Sequence, residues 1–122
     1  STLFPYTTLF RSQINKKILV SSSCTLNLNG FILSNSGSLT PIVIGENKAV
    51  EIVLSSDSTL IDSETNENNG TIYLQRGASL TISGTGTLMI TPNKLMAING
   101  TDETTLTINI ITLSSSISAI RR

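Results

Sequence analysis

The chain has 122 residues, which is the length of one domain, and its formal net charge at pH 7 is +0 with only 13% charged residues. This balance excludes binding of nucleic acid through a basic surface. Hydrophobic residues make up 39% of the chain, a fraction that excludes an intrinsically disordered polymer.

The first twelve residues, STLFPYTTLFRS, resemble the translation of a short sequencing adapter. They contain three of the five aromatic residues of the chain, Phe4, Tyr6 and Phe10. We therefore interpret residues 1–12 as an artefact and expect residues 13–122 to form a partial domain that is truncated at both ends. A natural aromatic arm that packs across the first strands is the alternative.

Short runs in which apolar and polar residues alternate follow along the chain. The clearest runs are TLNLN (25–29), VEIVL (50–54), SLTIS (79–83), TLMIT (87–91) and TLTIN (105–109). A period of two residues is typical of half-buried β-strands, and no window has the spacing of an amphipathic helix. The sequence therefore predicts an all-β fold.

The runs recur at a nearly constant distance. One column of apolar residues has intervals of 26, 28 and 26 residues and consists of Leu26, Ile52, Leu80 and Leu106. A second column has intervals of 27, 28 and 25 residues and consists of Leu33, Leu60, Leu88 and Leu113. A third, less regular run follows at residues 41–44, 71–74 and 95–98. Each repeating unit therefore contains three short strands.

Units of this kind cannot bury an apolar face alone, so neighbouring units must stack. Stacking predicts a parallel β-helix of about four coils, each with 26–28 residues and three short strands. The backbone of one coil would then pair with the next coil, about 4.8 Å away. A β-sandwich is the alternative, since it also has short alternating strands, but it does not explain columns with this period.

A family resemblance is carried by LNLNGFILSNSGSLTPIVIGENKAVEIVLSSDSTLIDS (26–63) and GTIYLQRGASLTISGTGTLMI (70–90). These segments resemble a family of bacterial extracellular carbohydrate-binding-domain proteins, and SLTISGTGTLMI (79–90) is the most telling piece. The family pattern is broken in TLTINIITLS (105–114), where Ile110 and Ile111 stand in place of a Gly-Gly-Thr corner.

The resemblance implies a right-handed parallel β-helix with a pectate-lyase-like fold, so the expected fold is an all-β, right-handed parallel β-helix fragment. It also implies a location outside the cell or on the cell surface. Binding of acidic plant polysaccharides together with calcium is the function that the resemblance implies.

The best candidate for a metal site is the acidic segment DSETNENNG (62–70). Asp62, Glu64 and Glu67 supply the hard oxygen ligands that calcium prefers. Their spacing does not match an EF-hand loop. The alternative is a solvated insertion that lengthens one corner, and a second acidic pair, Asp102 and Glu103, is interpreted as an ordinary turn.

Tyr73 and Gln75 are the predicted ligand-binding residues. Tyr73 alternates with Ile72 and Leu74, so its ring is expected to point away from the core. An exposed ring can stack on a sugar, and Gln75 would lie on the same face. The alternative is a tyrosine that only covers a face of the sheet.

The sequence predicts no catalytic residue. It contains no histidine, which excludes imidazole-based triads and the common zinc sites. Cys24 is the only cysteine and is expected to be a buried, small apolar side chain. Arg76, Lys48 and Lys94 are isolated from the acidic residues that a lyase or hydrolase of this fold would need.

We therefore predict a non-catalytic carbohydrate-binding module whose partner is a polysaccharide. A structural or adhesive stalk and a fragment of a pectate-lyase-like enzyme are the alternatives. No apolar run approaches the roughly 18 residues of a membrane span. Open coil edges would also allow the chain to self-associate.

Overall fold

The computed structural model describes most of the chain in separate segments. The described residues are 8–10, 13–14, 18–30, 32–35, 42–62, 70–91, 96–110, 113–115 and 118–121. These residues form strands and turns and contain no helix, which confirms the predicted all-β class. No helix that could span a membrane is found in this part of the chain.

The described strands are short. In chain order they are β1 (Thr8–Phe10), β2 (Gln13–Ile14), β3 (Ile18–Val20), β4 (Cys24–Leu28), β5 (Ile32–Asn35), β6 (Ile42–Ile44), β7 (Ala49–Leu54), β8 (Ser58–Asp62), β9 (Ile72–Leu74), β10 (Ser79–Gly84), β11 (Leu88–Thr91), β12 (Met96–Gly100), β13 (Thr105–Asn109), β14 (Leu113–Ser115) and β15 (Ser118–Arg121).

Every third strand belongs to the same sheet. The first sheet has the order β1-β4-β7-β10-β13, the second β2-β5-β8-β11-β14 and the third β3-β6-β9-β12-β15. Neighbouring strands are parallel in all three sheets. The chain therefore passes through the three sheets in a fixed order and returns to each sheet in the same direction.

Each sheet has five described strands, whereas the apolar columns predict about four repeating units. The additional first strand is β1, in which Thr8 pairs with Leu26 of β4. This strand lies within residues 1–12, whose interpretation as an artefact stays a prediction. The apolar columns begin only at β4, because the preceding residues lack a run that matches the repeat.

The register agrees with the predicted columns in part. Leu26 pairs with Ile52, and Leu80 pairs with Leu106, as predicted. The predicted pairing of Ile52 with Leu80 is wrong, because Ile52 pairs with Ile82. The error is two residues, so the same side chains still face the interior.

The error has its origin in the segment between β8 and β9, which holds residues 63–69. Each paired interval that crosses this segment is 30 residues long, namely Ile42 with Ile72, Ile52 with Ile82 and Leu60 with Ile90. The extra length therefore shifts the register in all three sheets, whereas the sequence shows it clearly in the third sheet alone.

The core consists of the inward-facing side chains of the three sheets. Leu26, Ile52 and Ile82 are at most 1% exposed and lie next to one another in the first sheet. Burial of each such side chain contributes about 1.5–3 kcal/mol relative to an exposed position. Leu106 of β13 is only partly buried against this core, since β13 pairs with β10 alone among the described strands.

Gly84 occupies a position that no other residue type suits. It pairs with Leu54 at the end of β10, and its φ angle is 107°. A Cβ atom on Gly84 would lie 2.7 Å from the backbone nitrogen of Leu54 and still closer to its carbonyl oxygen. The two strands can therefore approach closely only because Gly84 has no side chain.

Candidate functional site

Three turns that connect the third sheet to the first sheet lie on top of one another. They consist of residues 45–48, 75–78 and 101–104. Asn47 N donates a hydrogen bond to Arg76 O at 3.0 Å, and Gly77 N donates one to Asp102 O at 3.3 Å. These bonds join the same position of successive turns, so the turns form a regular stack.

The third residue of each turn has a left-handed backbone. The φ angles are 58° for Asn47, 72° for Gly77 and 62° for Glu103. Glycine and asparagine adopt this conformation readily, whereas glutamate does so at an energetic cost. The stack therefore imposes on Glu103 a conformation that its side chain does not favour.

A groove of about 260 Å³ lies along the stacked turns and β9, and we call it the corner groove. Among the described residues it is lined by Glu46, Tyr73, Gln75, Arg76, Thr101 and Asp102. The groove therefore contains one aromatic ring, several hydrogen-bonding groups and both signs of charge.

Tyr73 reaches the corner groove because of the alternation in β9. Its neighbours Ile72 and Leu74 are 0% and 1% exposed in the core, so the Tyr73 side chain lies on the outer face of the third sheet. It is half-buried there and pairs with Val43 on one side and Asn99 on the other. The structure thus places Tyr73 on the outer face that the sequence predicts.

Gln75 follows β9 directly and begins the middle turn. Its backbone N donates to Ile44 O at 3.0 Å, and Thr101 N donates to Leu74 O at 3.1 Å. These bonds fix the backbone of the groove wall from both neighbouring strands. The half-buried Gln75 side chain lines the same groove as Tyr73, so the structure brings together the two predicted ligand-binding residues.

Charged residues form a column in the groove wall. Glu46, Arg76 and Asp102 occupy the second position of the three stacked turns. Arg76 Nη2 also donates to Glu103 Oε1 at 2.8 Å, and both side chains are 65% exposed. Such an exposed ion pair contributes about 0–1 kcal/mol to stability.

Sequence reasoning missed this column. It treated Arg76 as an isolated surface residue and the segment with Asp102 as an ordinary turn, and it assigned no role to Glu46. The available signal was the equal place of these residues in turns that follow a buried apolar run. That signal becomes visible only when the 30-residue interval between the first two turns is known.

Of the three predicted metal ligands, only Asp62 lies among the described residues. Asp62 ends β8, is 3% exposed, and accepts a 3.0 Å hydrogen bond at Oδ2 from the hydroxyl of Thr71. Glu64 and Glu67 lie outside the described residues. Within the described part of the chain no group of three or more His, Cys, Asp or Glu side chains could hold a metal ion.

A second groove, of about 470 Å³, crosses the first sheet. Its wall includes Cys24, Thr25, Glu51 and Thr81, and Ser83 Oγ donates to Glu51 Oε2 at 2.7 Å. Cys24 is partly buried against the core, and desolvation by burial raises the pKa of its thiol. The thiol therefore stays protonated at neutral pH, which agrees with the apolar role predicted for Cys24.

Comparison with known proteins gives one match. A family model described as "Carbohydrate-binding domain-containing protein" matches residues 8–122. No curated protein and no solved structure matches the chain.

Proposed function

The chain belongs to the family of carbohydrate-binding domain-containing proteins, and from this membership we propose that it is a non-catalytic module that binds polysaccharide in the corner groove. The observation that carries the proposal is the presence of Tyr73 and Gln75 in one groove. The groove lies on a wall of stacked turns whose backbone is held by hydrogen bonds between successive turns.

The chemistry of the groove suits a sugar. An aromatic ring offers an apolar face to the C–H groups of a pyranose and a hydroxyl at its edge. Gln75 and Thr101 donate and accept hydrogen bonds, and the carboxylates of Glu46 and Asp102 are strong acceptors for sugar hydroxyls. A few polar groups around one ring are a common arrangement in a ligand site.

For the fold we propose the right-handed parallel β-helix that the sequence analysis predicts. Three parallel sheets that the chain visits in turn support this architecture. Stacked coils would repeat the groove wall in steps of about 4.8 Å, which suits a polymer better than a single sugar. Secretion or attachment to the cell surface, as the family resemblance implies, is part of the same proposal.

Calcium is a separate part of the proposal. Carboxylates of Asp62, Glu64 and Glu67 would hold the ion, and a bound calcium ion would supply positive charge for an acidic polysaccharide. The hydrogen bond from Thr71 to Asp62 supports a defined position for one of these carboxylates. The same hydrogen bond also suits a purely structural role, so the calcium hypothesis needs its own measurement.

The test is isothermal titration of the chain with polygalacturonate and with a neutral glucan, each with and without calcium. We expect saturable binding that Tyr73→Ala weakens by at least about tenfold, because the sugar loses its stacking partner. The matched control is Met89→Ala, since Met89 is 52% exposed on a different sheet.

Each outcome of this titration has a meaning. Absence of binding by a demonstrably folded sample would refute the proposal in favour of a structural stalk. Equal binding by Tyr73→Ala and the native chain would remove the corner groove as the site. Release of products from a pectin-like polymer would show an enzyme.

A further inference from the structure

The corner groove carries more negative than positive charge. Glu46 and Asp102 line it, and Glu103 lies beside it in the last stacked turn. Arg76 is the only cationic residue among the described lining residues. Three carboxylates therefore surround one guanidinium group.

The positive charge of Arg76 is already engaged. Its Nη2 atom donates to Glu103 at 2.8 Å, and its place in the stack is between Glu46 and Asp102. The backbone oxygen of Arg76 accepts a hydrogen bond from Asn47 N at 3.0 Å, which holds the residue in the middle of the column. A ligand in the groove thus meets two carboxylates that no described basic side chain pairs.

From this arrangement we propose that the corner groove prefers a polysaccharide of amino sugars whose amino groups are protonated. The inference rests on the proposed function, since it specifies the ligand of the same groove. An ammonium group donates three hydrogen bonds, and the carboxylates of Glu46 and Asp102 are its natural acceptors. The face of Tyr73 also attracts a cation.

The two other classes of sugar polymer fit the charge less well. A neutral polymer would form hydrogen bonds with the groove but would gain no attraction between opposite charges. An acidic polymer would bring its carboxylates next to Glu46 and Asp102, so it would need a bridging cation. The groove by itself therefore ranks amino sugars first and acidic sugars last.

The test compares ligands that differ only in charge. A glucosamine hexamer and an N-acetylglucosamine hexamer have the same backbone, and only the first carries protonated amines in mildly acidic buffer. We expect the glucosamine hexamer to bind on the order of tenfold more tightly at low salt. The difference should shrink at high salt, because both partners are exposed to solvent.

Charge variants then locate the effect. Glu46→Gln and Asp102→Asn should each reduce the preference for the glucosamine hexamer several-fold and leave binding of the acetylated hexamer nearly unchanged. Glu51→Gln is the matched control, since it changes the net charge equally but lies in the groove of the first sheet. Its preference should equal that of the native chain.

The outcomes separate this inference from the proposed function. Equal affinity for the two hexamers, or a preference that Glu46→Gln and Asp102→Asn do not change, overturns the amino-sugar inference. If another glycan then binds with sensitivity to Tyr73→Ala, the proposed function stands without it. If no glycan binds to the folded chain, both are wrong.

Discussion

The hydroxyl of Thr71 donates a 3.0 Å hydrogen bond to Oδ2 of Asp62 in the interior of the protein. Thr71 is 0% exposed and Asp62 is 3% exposed. The bond joins the end of β8 to the start of β9 and spans the base of residues 63–69. A carboxylate that sequence reasoning assigns to calcium thus has a structural partner.

We expect Asp62→Ala to lower the free energy of unfolding by about 1–3 kcal/mol, because it leaves the buried Thr71 hydroxyl without its acceptor. Asp62→Asn should cost less, since an amide oxygen can still accept the bond. Urea denaturation without calcium measures both changes. If Asp62→Ala were as stable as the native chain in this experiment, the hydrogen bond would have no structural importance.

Calcium adds a second readout at the same position. If the ion binds at Asp62, saturating calcium should raise the unfolding temperature of the native chain and should raise that of Asp62→Asn much less. The matched control is Asp57→Asn, because Asp57 is an exposed acidic residue in another turn. An equal calcium effect in all three proteins would place the ion elsewhere.

Gly84→Ala should be strongly destabilising. Its φ angle of 107° disfavours any side chain, and a Cβ atom would collide with the backbone of Leu54. We expect a loss of more than about 2 kcal/mol, measured by urea denaturation. Gly30→Ala is the matched control, because Gly30 also has a positive φ angle of 71° but its nearest neighbour is Ser56 Oγ at 3.5 Å.

For Gly30→Ala the expected loss is smaller, about 1–2 kcal/mol, since only backbone strain contributes. The difference between the two variants measures the collision alone. Equal losses would mean that β7 and β10 can separate enough to accept a methyl group.

Glu103 tests the strain in the stacked turns. Glu103→Gln and Glu103→Gly both remove the exposed ion pair with Arg76, but only glycine relieves the φ angle of 62°. We expect Glu103→Gly to be more stable than Glu103→Gln by about 1 kcal/mol. Thermal unfolding of the two variants side by side gives this difference, and a less stable glycine variant would contradict the left-handed conformation.

The thiol of Cys24 should react slowly with an alkylating reagent at neutral pH. Burial raises its pKa, so the reactive thiolate is scarcer than in the unfolded chain. Because Cys24 is the only cysteine, the labelling rate reports this group alone. The rate against pH should rise at a higher pH in the folded protein than in urea, and coincident profiles would refute the shift.

The same shift links Cys24 to stability with a definite sign. Folding favours the protonated thiol, so its contribution is present below the unfolded-state pKa. The contribution is lost as the pH rises through the higher folded-state pKa. We therefore expect Cys24→Ser to show a weaker decline in stability at alkaline pH than the native chain, as measured by urea denaturation across that range.

Much of the fold could be predicted because alternation alone decides which side chains face inward. Ile72 and Leu74 alternate with Tyr73 in the sequence, and the structure buries the first two and leaves the third half-buried on the outside. The repeat also revealed that Leu26 lies next to Ile52. Both inferences rest on local patterns with a fixed period.

The corner groove could be predicted only in part. Tyr73 and Gln75 are close in sequence, so one local pattern assigned both. Glu46 and Asp102 come from turns before and after them, and their place in the groove depends on hydrogen bonds between turns. No local pattern contains that information.

By itself, the sequence determined the strand class, the repeat and the face of each side chain, because a β-strand alternates every two residues. The tertiary structure decided the register, which pairs Ile52 with Ile82. A shift of two residues leaves every side chain on the same face, so the apolar pattern cannot detect it. Hydrogen bonds between strands and turns choose among these registers, and that choice brings Glu46, Arg76 and Asp102 together.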